Sequence, residues 1–459
     1  MTLKGGLLWI FCLFFLVAPL LAAPEKPVSA IPEAQALFKE ATAALVKHRP
    51  DLALPLFKQA LKLDPKNPKF YWEMGWAYWQ QSDWERVLER WEWAQKYGFN
   101  GSELPRFRKL ARQYLAWEQG AQKRQVDQPP LPASAPGELV LTAVGDMMLG
   151  SDYGPEPKLP PDEGKALFAE VRYLLDGDLV VGNLEAPITT VATSDKCSQL
   201  SKCYLFRTPL AFAARLKEAG FDLLNLANNH ISDFGLQGMK DTMAALESAQ
   251  LQHYGLRARP SADFKVGDIR ITFIGASTTG CCQHMSDLEG LSEKVKKAKQ
   301  TADLVVVTFH GGAEGLEAAH VPLGEELYLG EPRGDVRRFA HRMIDAGADL
   351  VLGHGPHSIR GMELYRGKAI AYSLGNFVGY LGFSSSGHLK YSMILKVRLN
   401  AAGELLGLRV VPILLSPKVL PQFDPQGHSL ALLNDLSRQD FGERAILLDP
   451  KGDWQPNPP

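Results

Sequence analysis

The chain lacks an excess of either charge: 50 Lys and Arg stand against 51 Asp and Glu, a formal net of −1. No basic stripe emerges either, so the phosphate-neutralising surface of a nucleic-acid binder is missing and no nucleic-acid partner is expected. Long apolar runs are missing beyond the first two dozen residues, which leaves no later segment able to span a bilayer. Cysteine is scarce, five in 459 residues, and its spacing gives a zinc cluster no support. What the chain has in quantity is apolar material, 46% of its residues, enough for one large core and one small domain.

The one long apolar run follows Lys4 and reads GGLLWIFCLFFLVAPLLAA, with no charge until Glu25. Ala22 offers a small residue for cleavage, so residues 1–22 read as a signal peptide. Pro19 and the small residues at its end favour cleavage over an uncleaved membrane anchor, the only membrane contact expected. An exported protein, periplasmic or extracellular, follows. Four cysteines then remain: Cys197, Cys203, Cys281 and Cys282. They allow two disulfides in any of three connectivities, with pairing of adjacent Cys281 and Cys282 disfavoured by ring strain. Cys197 with Cys203 closes a local loop; pairing that loop to the Cys281 segment instead fastens two loops together.

Residues 33–119 carry a different pattern. Leu37, Ala41, Ala53, Phe57 and Ala60 recur 34 residues later as Tyr71, Gly75, Val87, Trp91 and Ala94. Tyr71, Met74, Gly75 and Tyr78 keep the spacing of tetratricopeptide repeats, which the segment resembles. Small residues let paired helices approach, Phe57 and Trp91 fill the space between them, and Asp64-Pro65 supplies the turn. A further helix near Leu104 to Trp117 caps the pair. The tryptophans at 72, 76, 79, 84 and 93 suit either packing or an aromatic groove, and repeats of this kind point to a protein partner. A polar, proline-rich linker is expected over 120–137.

The back two-thirds holds six short apolar runs with polar tips: LVLTAVGD (Asp146), DLVVGNLE (Glu185), DLLNLANNH (Asn229, His230), DLVVVTFH (His310), DLVLGHGPH (His354, His357) and AIAYSLGN (Asn376). Unbroken runs of this kind predict strands buried on both faces, and ligands in open α/β sheets sit beyond the carboxyl ends of such strands. Two carboxylates, an amide oxygen and several imidazoles suit one or two divalent ions such as Mn, Zn or Fe. Two such ions carry four positive charges, of which Asp146 and Glu185 neutralise two, so the site should attract an anion. A phosphate ester and a carboxylate-rich polymer such as polyglutamate both qualify. YSMILKVRL and LGLRVVPIL around NAAGE predict a hairpin, and from Pro417 the rising Pro, Gln and Asp content predicts a loose C-terminal extension, 417–459.

VGDMMLG (144–150), GNLEAPIT (182–189), NLANNHISDFG (225–235), FHGG (309–312), GHGPH (353–357) and YSLGNF (372–377) occur in the order seen in the CapA-type poly-gamma-glutamate capsule synthesis family, which residues 138–416 resemble. That family is similar to the calcineurin-like metallophosphatases. The resemblance implies an α/β fold, a four-layer α/β/β/α metallophosphatase-like sandwich, preceded here by the small all-α repeat domain. It implies Asp146, Glu185, Asn229, His310, His354 and His357 as metal ligands, with Glu185 bridging. His230 would meet the substrate anion and protonate the leaving group, and Asn183, Asn228 and Asn376 would support ligands or substrate. Two positions depart from the pattern. Met148 stands where metallophosphatases carry a second ligand His, and Gly355 where the family commonly has another His. The expected activity is metal-dependent hydrolysis in capsule or envelope polymer metabolism; the alternative is a non-enzymatic polymer-binding or anchoring factor of a capsule synthesis complex.

Overall fold

The computed structural model describes residues 29–46, 49–81, 83–121, 134–196 and 204–456. The segment read as a leader, most of the linker, Cys197 and Cys203 lie outside these residues. The chain divides into two compact units, residues 1–116 and 117–459, and no helix among the described residues is long and apolar enough to cross a membrane.

The first unit is built from α1 (Pro32–Val46), α2 (Pro50–Leu63), α3 (Pro68–Gln80), α4 (Trp84–Lys96) and the start of α5 (Leu104–Ala121). Its repeat logic is steric. A Cβ on Gly75 would lie 2.1 Å from Trp91 Nε1, so only glycine lets the Trp91 ring seat between α3 and α4, where it donates to Trp72 O at 3.1 Å. Trp72, Trp79, Trp84 and Trp91 are buried, and Phe107 and Tyr114 of α5 pack edge-on against Trp79. The capping helix is therefore present, and four tryptophans serve packing; Trp76 and Trp93 stay half-buried.

In the second unit, β1 (Glu138–Met148), β2 (Leu179–Leu184), α6 (Phe212–Ala219), β3 (Leu223–Asn225), α7 (Gly235–Ser248) and β4 (Gln252–Tyr254) open one sheet. The chain crosses to a second sheet with β5 (Ser261–Val266), β6 (Ile269–Ser277), α8 (Leu288–Lys299) and β7 (Leu304–His310). A separate ribbon, β8 (Glu326–Tyr328) and β9 (Glu331–Gly334), precedes α9 (Val336–Asp345). Then come β10 (Leu350–His354), β11 (Met362–Tyr365) and β12 (Lys368–Ala371). The chain returns to the first sheet with β13 (Asn376–Gly379), β14 (Tyr391–Asn400), β15 (Leu405–Leu415), β16 (Pro421–Phe423) and, after α10 (His428–Phe441), β17 (Asp453–Trp454). The first sheet runs β16-β15-β14-β1-β2-β3-β4 and the second β11-β12-β10-β7-β6-β5.

Strand periodicity makes the layers. Leu179 and Val181 of β2, Leu304 and Val306 of β7, and Leu350 and Leu352 of β10 share one core between the sheets. Their odd-numbered or even-numbered neighbours turn the other way: Val180 packs with Phe212 and Leu216 of α6, while Val305, Val307 and Val351 pack with Leu291 of α8 and Phe339 of α9. Helix, sheet, sheet, helix is the resulting order, as expected.

The aspartates that open the apolar runs set the register. Asp178 accepts from Val140 N at 2.7 Å, Asp222 from Val180 N at 2.9 Å, Asp303 from Arg270 N at 2.8 Å and Asp349 from Val305 N at 2.9 Å. Each carboxylate thus caps the amino end of the adjacent strand, which fixes where the carboxyl ends fall.

Two expectations need correction. The segment after Pro417 is not loose: β16 pairs with β15, and Leu430, Leu432, Leu433 and Leu436 of α10 belong to the core between the sheets. The Pro-rich composition marks short turns around a packed helix. Asn376 is also not at a strand's carboxyl end, because the AIAYSLGN run breaks after Ala371 and Asn376 opens β13. The hairpin of β14 and β15 is as expected.

Leu433→Ala should cost about 2–5 kcal/mol, the range for emptying a buried leucine site, whereas a loose tail would lose nothing; denaturant unfolding reads the difference. Asp349→Ala, which also strips partners from Lys299 and Lys368, should cost about 1.5–3 kcal/mol by the same measurement.

Candidate metal centre

The two sheets present two rows of polar tips. In the first sheet Asn376, Asp146, Asn183 and Asn225 are in register across β13, β1, β2 and β3; in the second, Ser277, His310 and His354 align across β6, β7 and β10. The rows meet at Asn183. Its amide nitrogen lies 2.8 Å from Asp146 Oδ1 and 3.3 Å from His310 Nδ1, and its oxygen accepts from Asn225 at 3.0 Å and Asn228 at 3.2 Å. All its hydrogen-bonding reach is spent inside the protein, so Asn183 positions neighbours and is closed to substrate.

Asp146, Glu185 and His357 bring one ligand atom each within 4.8 Å of one another. His357 Nδ1 is 3.2 Å from Asp146 Oδ2 and 2.9 Å from Asn376 Oδ1, which leaves Nε2 directed toward Glu185 Oε1 at 3.6 Å. The His357 backbone is held at a positive φ of 60°, a conformation that the surrounding structure must enforce. His310 Nε2 is likewise 3.6 Å from Glu185 Oε1. His354 gives Nε2 to Val144 O at 3.3 Å, a contact that fixes the tautomer and leaves Nδ1 as the ligand atom.

Buried groups without partners test whether a cation fits. Both Glu185 oxygens, Asn229 Oδ1, His310 Nε2 and His354 Nδ1 are buried and make no hydrogen bond among the described residues. Such atoms are rare in native proteins because each costs about 1–3 kcal/mol. Five of them on four residues, all of oxygen or imidazole type, fit a borderline divalent ion. The remaining residues divide. Asn228 donates to Leu184 O and accepts from His230 N and Ile231 N, so it braces the loop. His230 stands apart from the triad, with Nδ1 3.0 Å from Asp233 Oδ2 and its ring against Phe206.

Charge coupling follows from burial. Burial alone would raise the Asp146 carboxyl, but the hydrogen bond and charge of His357, with His310 and His354, hold it far below the usual carboxylate range. Burial pushes Glu185 well up, helped by Asp146 and Glu314 and opposed by His357. Burial lowers His310 and His354. Burial would also lower His357, but Glu185 and Asp146 outweigh it and push that imidazole up to about 10.

Sequence reasoning missed several neighbours. Asp233 lies three residues past His230 in the turn before α7 and also pairs with Lys196; no periodic pattern marked it. Glu314 approaches His357 Nε2 at 3.8 Å and pairs with Arg333, and nothing in the pattern marks a ribbon arginine as part of the site. Met148 is wholly buried, and a Cβ on Gly382 would lie 1.5 Å from its methyl, so it packs under the 379–383 loop. Gly355 has φ +113°, and a Cβ there would press on Gly311 and His310, which explains why no His stands at that position. Cys281 and Cys282 carry free thiols in this structure, their sulfurs in hydrogen-bond contact at 3.1 Å.

The sequence has counterparts among known proteins. Residues 140–380 match the family model described as bacterial capsule synthesis protein PGA_cap, more than half of the chain. The chain belongs to that family. As a PGA_cap protein it is similar to "Capsule biosynthesis protein CapA" of Bacillus anthracis, 31% identical over 304 residues, covering 60% of this chain and 67% of that one. It is also similar to "PGA biosynthesis protein CapA" of Bacillus subtilis (strain 168), 32% identical, covering 51% of this chain and 62% of that one. The chain thus spans about two-thirds of the length of these relatives. Residues 51–82 match a TPR repeat model. Among solved structures, a 5'-nucleotidase precursor from Thermus thermophilus is similar at 16% identity and a TM-score of 0.35, covering 64% of this chain and 58% of that one, too distant to bear on function.

Because Glu185 and His357 are both held toward their protonated forms without an ion, cation uptake should release protons. Affinity should therefore rise with pH from 6 to 8, by about tenfold per unit for each proton released. Calorimetry in buffers of different ionisation enthalpy reads that number, and zero release would contradict the coupling.

Proposed function

We propose that this PGA_cap protein is an exported, metal-dependent hydrolase of the phosphoesterase type, acting on an anionic component of capsule or envelope polymer metabolism. The observation that carries this reading is the buried cluster of Asp146, Glu185 and His357, with His310 Nε2 3.6 Å from a Glu185 carboxylate whose two oxygens find no hydrogen-bond partner among the described residues. Unsatisfied carboxylate oxygens in the interior are costly unless a cation meets them. The N-terminal apolar run supports export, and the TPR match supports recruitment of a protein partner.

When bound, a divalent ion at these residues would supply Lewis acidity and a nucleophile at neutral pH. The chain's own groups do the rest. Asn183 and Asn376 orient the ligands. Asp233 holds His230 Nδ1 as the donor, so Nε2 is the atom available for proton exchange, and Lys196 neutralises the same carboxylate. His230 so oriented can pass a proton to a leaving group. Phe206 and Phe383 pack at a tilt against His230 and His357 and meet each other edge-on, 6.3 Å apart, which places apolar walls beside the reacting groups and limits water.

A second reading, a polymer-binding or anchoring factor without turnover, draws on Met148, a buried thioether where a metallophosphatase has a ligand. His230→Asn separates the two. A hydrolase should keep its metal and lose roughly 10²- to 10⁴-fold in turnover; a binder should retain its cellular function. Glu185→Gln should lose most bound metal by elemental analysis, and full retention would remove Glu185 from the ligand set.

A further inference from the structure

Two buried arginine–glutamate pairs lie beside the centre, and they are built differently. Arg360 is fully buried and saturated: Nη1 and Nη2 reach both oxygens of Glu326 at 2.9 and 2.7 Å, Nε donates to Ala318 O at 2.7 Å, and Nη2 also reaches Ala313 O at 3.1 Å. Glu326 in turn accepts from Ala313 N at 2.9 Å. This pair is structural, since every bond pins the 313–318 loop to the β8–β9 ribbon.

The second pair is unfinished. Arg333 of β9 is only 6% exposed, yet its single side-chain ion pair is Nη2 to Glu314 Oε1, 2.8 Å apart and out of hydrogen-bond alignment. Among the described residues, neither Arg333 Nε nor Glu314 Oε1 has a hydrogen-bond partner. The guanidinium carbon lies 5.3 Å from the centre of the Tyr328 ring, and the Arg333 carbonyl accepts from Gly312 N at 2.7 Å, so its backbone is anchored while its fork is not. Glu314 points its other oxygen at His357 Nε2, 3.8 Å away, and Arg333 is close enough to bias Glu185 and His310 electrically.

A buried guanidinium has a strong demand for a two-oxygen acceptor, and one poorly seated carboxylate does not meet it. The geometry points to Arg333 as the residue that recognises a carboxylate of the ligand, with Glu314 as an in-chain stand-in that the incoming carboxylate displaces. The ligand class is a chain or peptide bearing free carboxylates. This deepens the function proposed above, since it assigns specificity within the same site, but it concerns binding and not turnover. The saturated Arg360–Glu326 pair keeps both loop and ribbon in place while the exchange occurs.

The test uses the full mature chain as purified, with metal content measured in every sample. A γ-linked glutamate trimer and inorganic phosphate serve as probes in calorimetry. Arg333→Gln should weaken trimer binding by at least about tenfold while keeping its metal. Glu314→Gln, which removes the competitor's charge without touching the arginine, should tighten it several-fold. Unchanged affinity in Arg333→Gln, or weakening in Glu314→Gln, overturns the assignment. Arg333-dependent binding of phosphate without binding of the trimer overturns the carboxylate class. If Arg333→Gln does not fold, the sign of the Glu314→Gln effect decides alone. If these affinity shifts appear in protein that binds no metal, the hydrolase reading fails and the carboxylate site stands.

Discussion

The centre depends on bonds made far from it. Asp178, Asp222, Asp303 and Asp349 stand at the opposite ends of the strands, each holding an amide in the first three residues of a neighbour. A parallel strand pair that slips by one residue turns every side chain to the other face. Held at one end, the strands deliver Asp146 and Asn183, or His310 and His354, at the same height at the other. The precision of a site assembled from six separate segments is thus set by charge-assisted hydrogen bonds made along the far edge of both sheets.

Asn183 converts that alignment into one site. A carboxylate, an imidazole and two amides meet on a single side chain whose orientation is dictated by them, because only one placement of its nitrogen and oxygen satisfies all four. Around it the interior accumulates charge. Asp146 takes the protonated His357 as its counter-ion, while Glu185, a little further off, is left with two idle oxygens. The imbalance leaves Glu185 with unmet electrostatic demand at the place where Asp146, Glu185 and His357 could hold a cation.

The layers were legible from the chain because apolar runs bounded by Asp and by Gly, Asn or His repeat along it, and buried strands have no other use for such punctuation. Asp146, Glu185 and His357, brought together here, were legible as polar tips. His230 was legible as a tip but not as a partner of Asp233, since that pairing depends on how the ANNH loop turns. Arg333 and Glu314 were illegible: they come from a ribbon and a loop with no period, and only the folded chain brings them beside His357. The end of the chain misled because composition reports on turns, and the turns around α10 are rich in the residues that also mark looseness.

The first sheet has a seam. β1 lies between β2, close behind it in the chain, and β14, whose Asn400 pairs with Glu138; the whole second sheet is spun out between them. Loop closure over such a span is slow compared with local pairing. Asp146 therefore waits, with one side of its strand bare, until nearly all of the unit has been made. Until then the strand carries an unpaired, strongly apolar edge, and the centre is among the last parts of the unit to be completed.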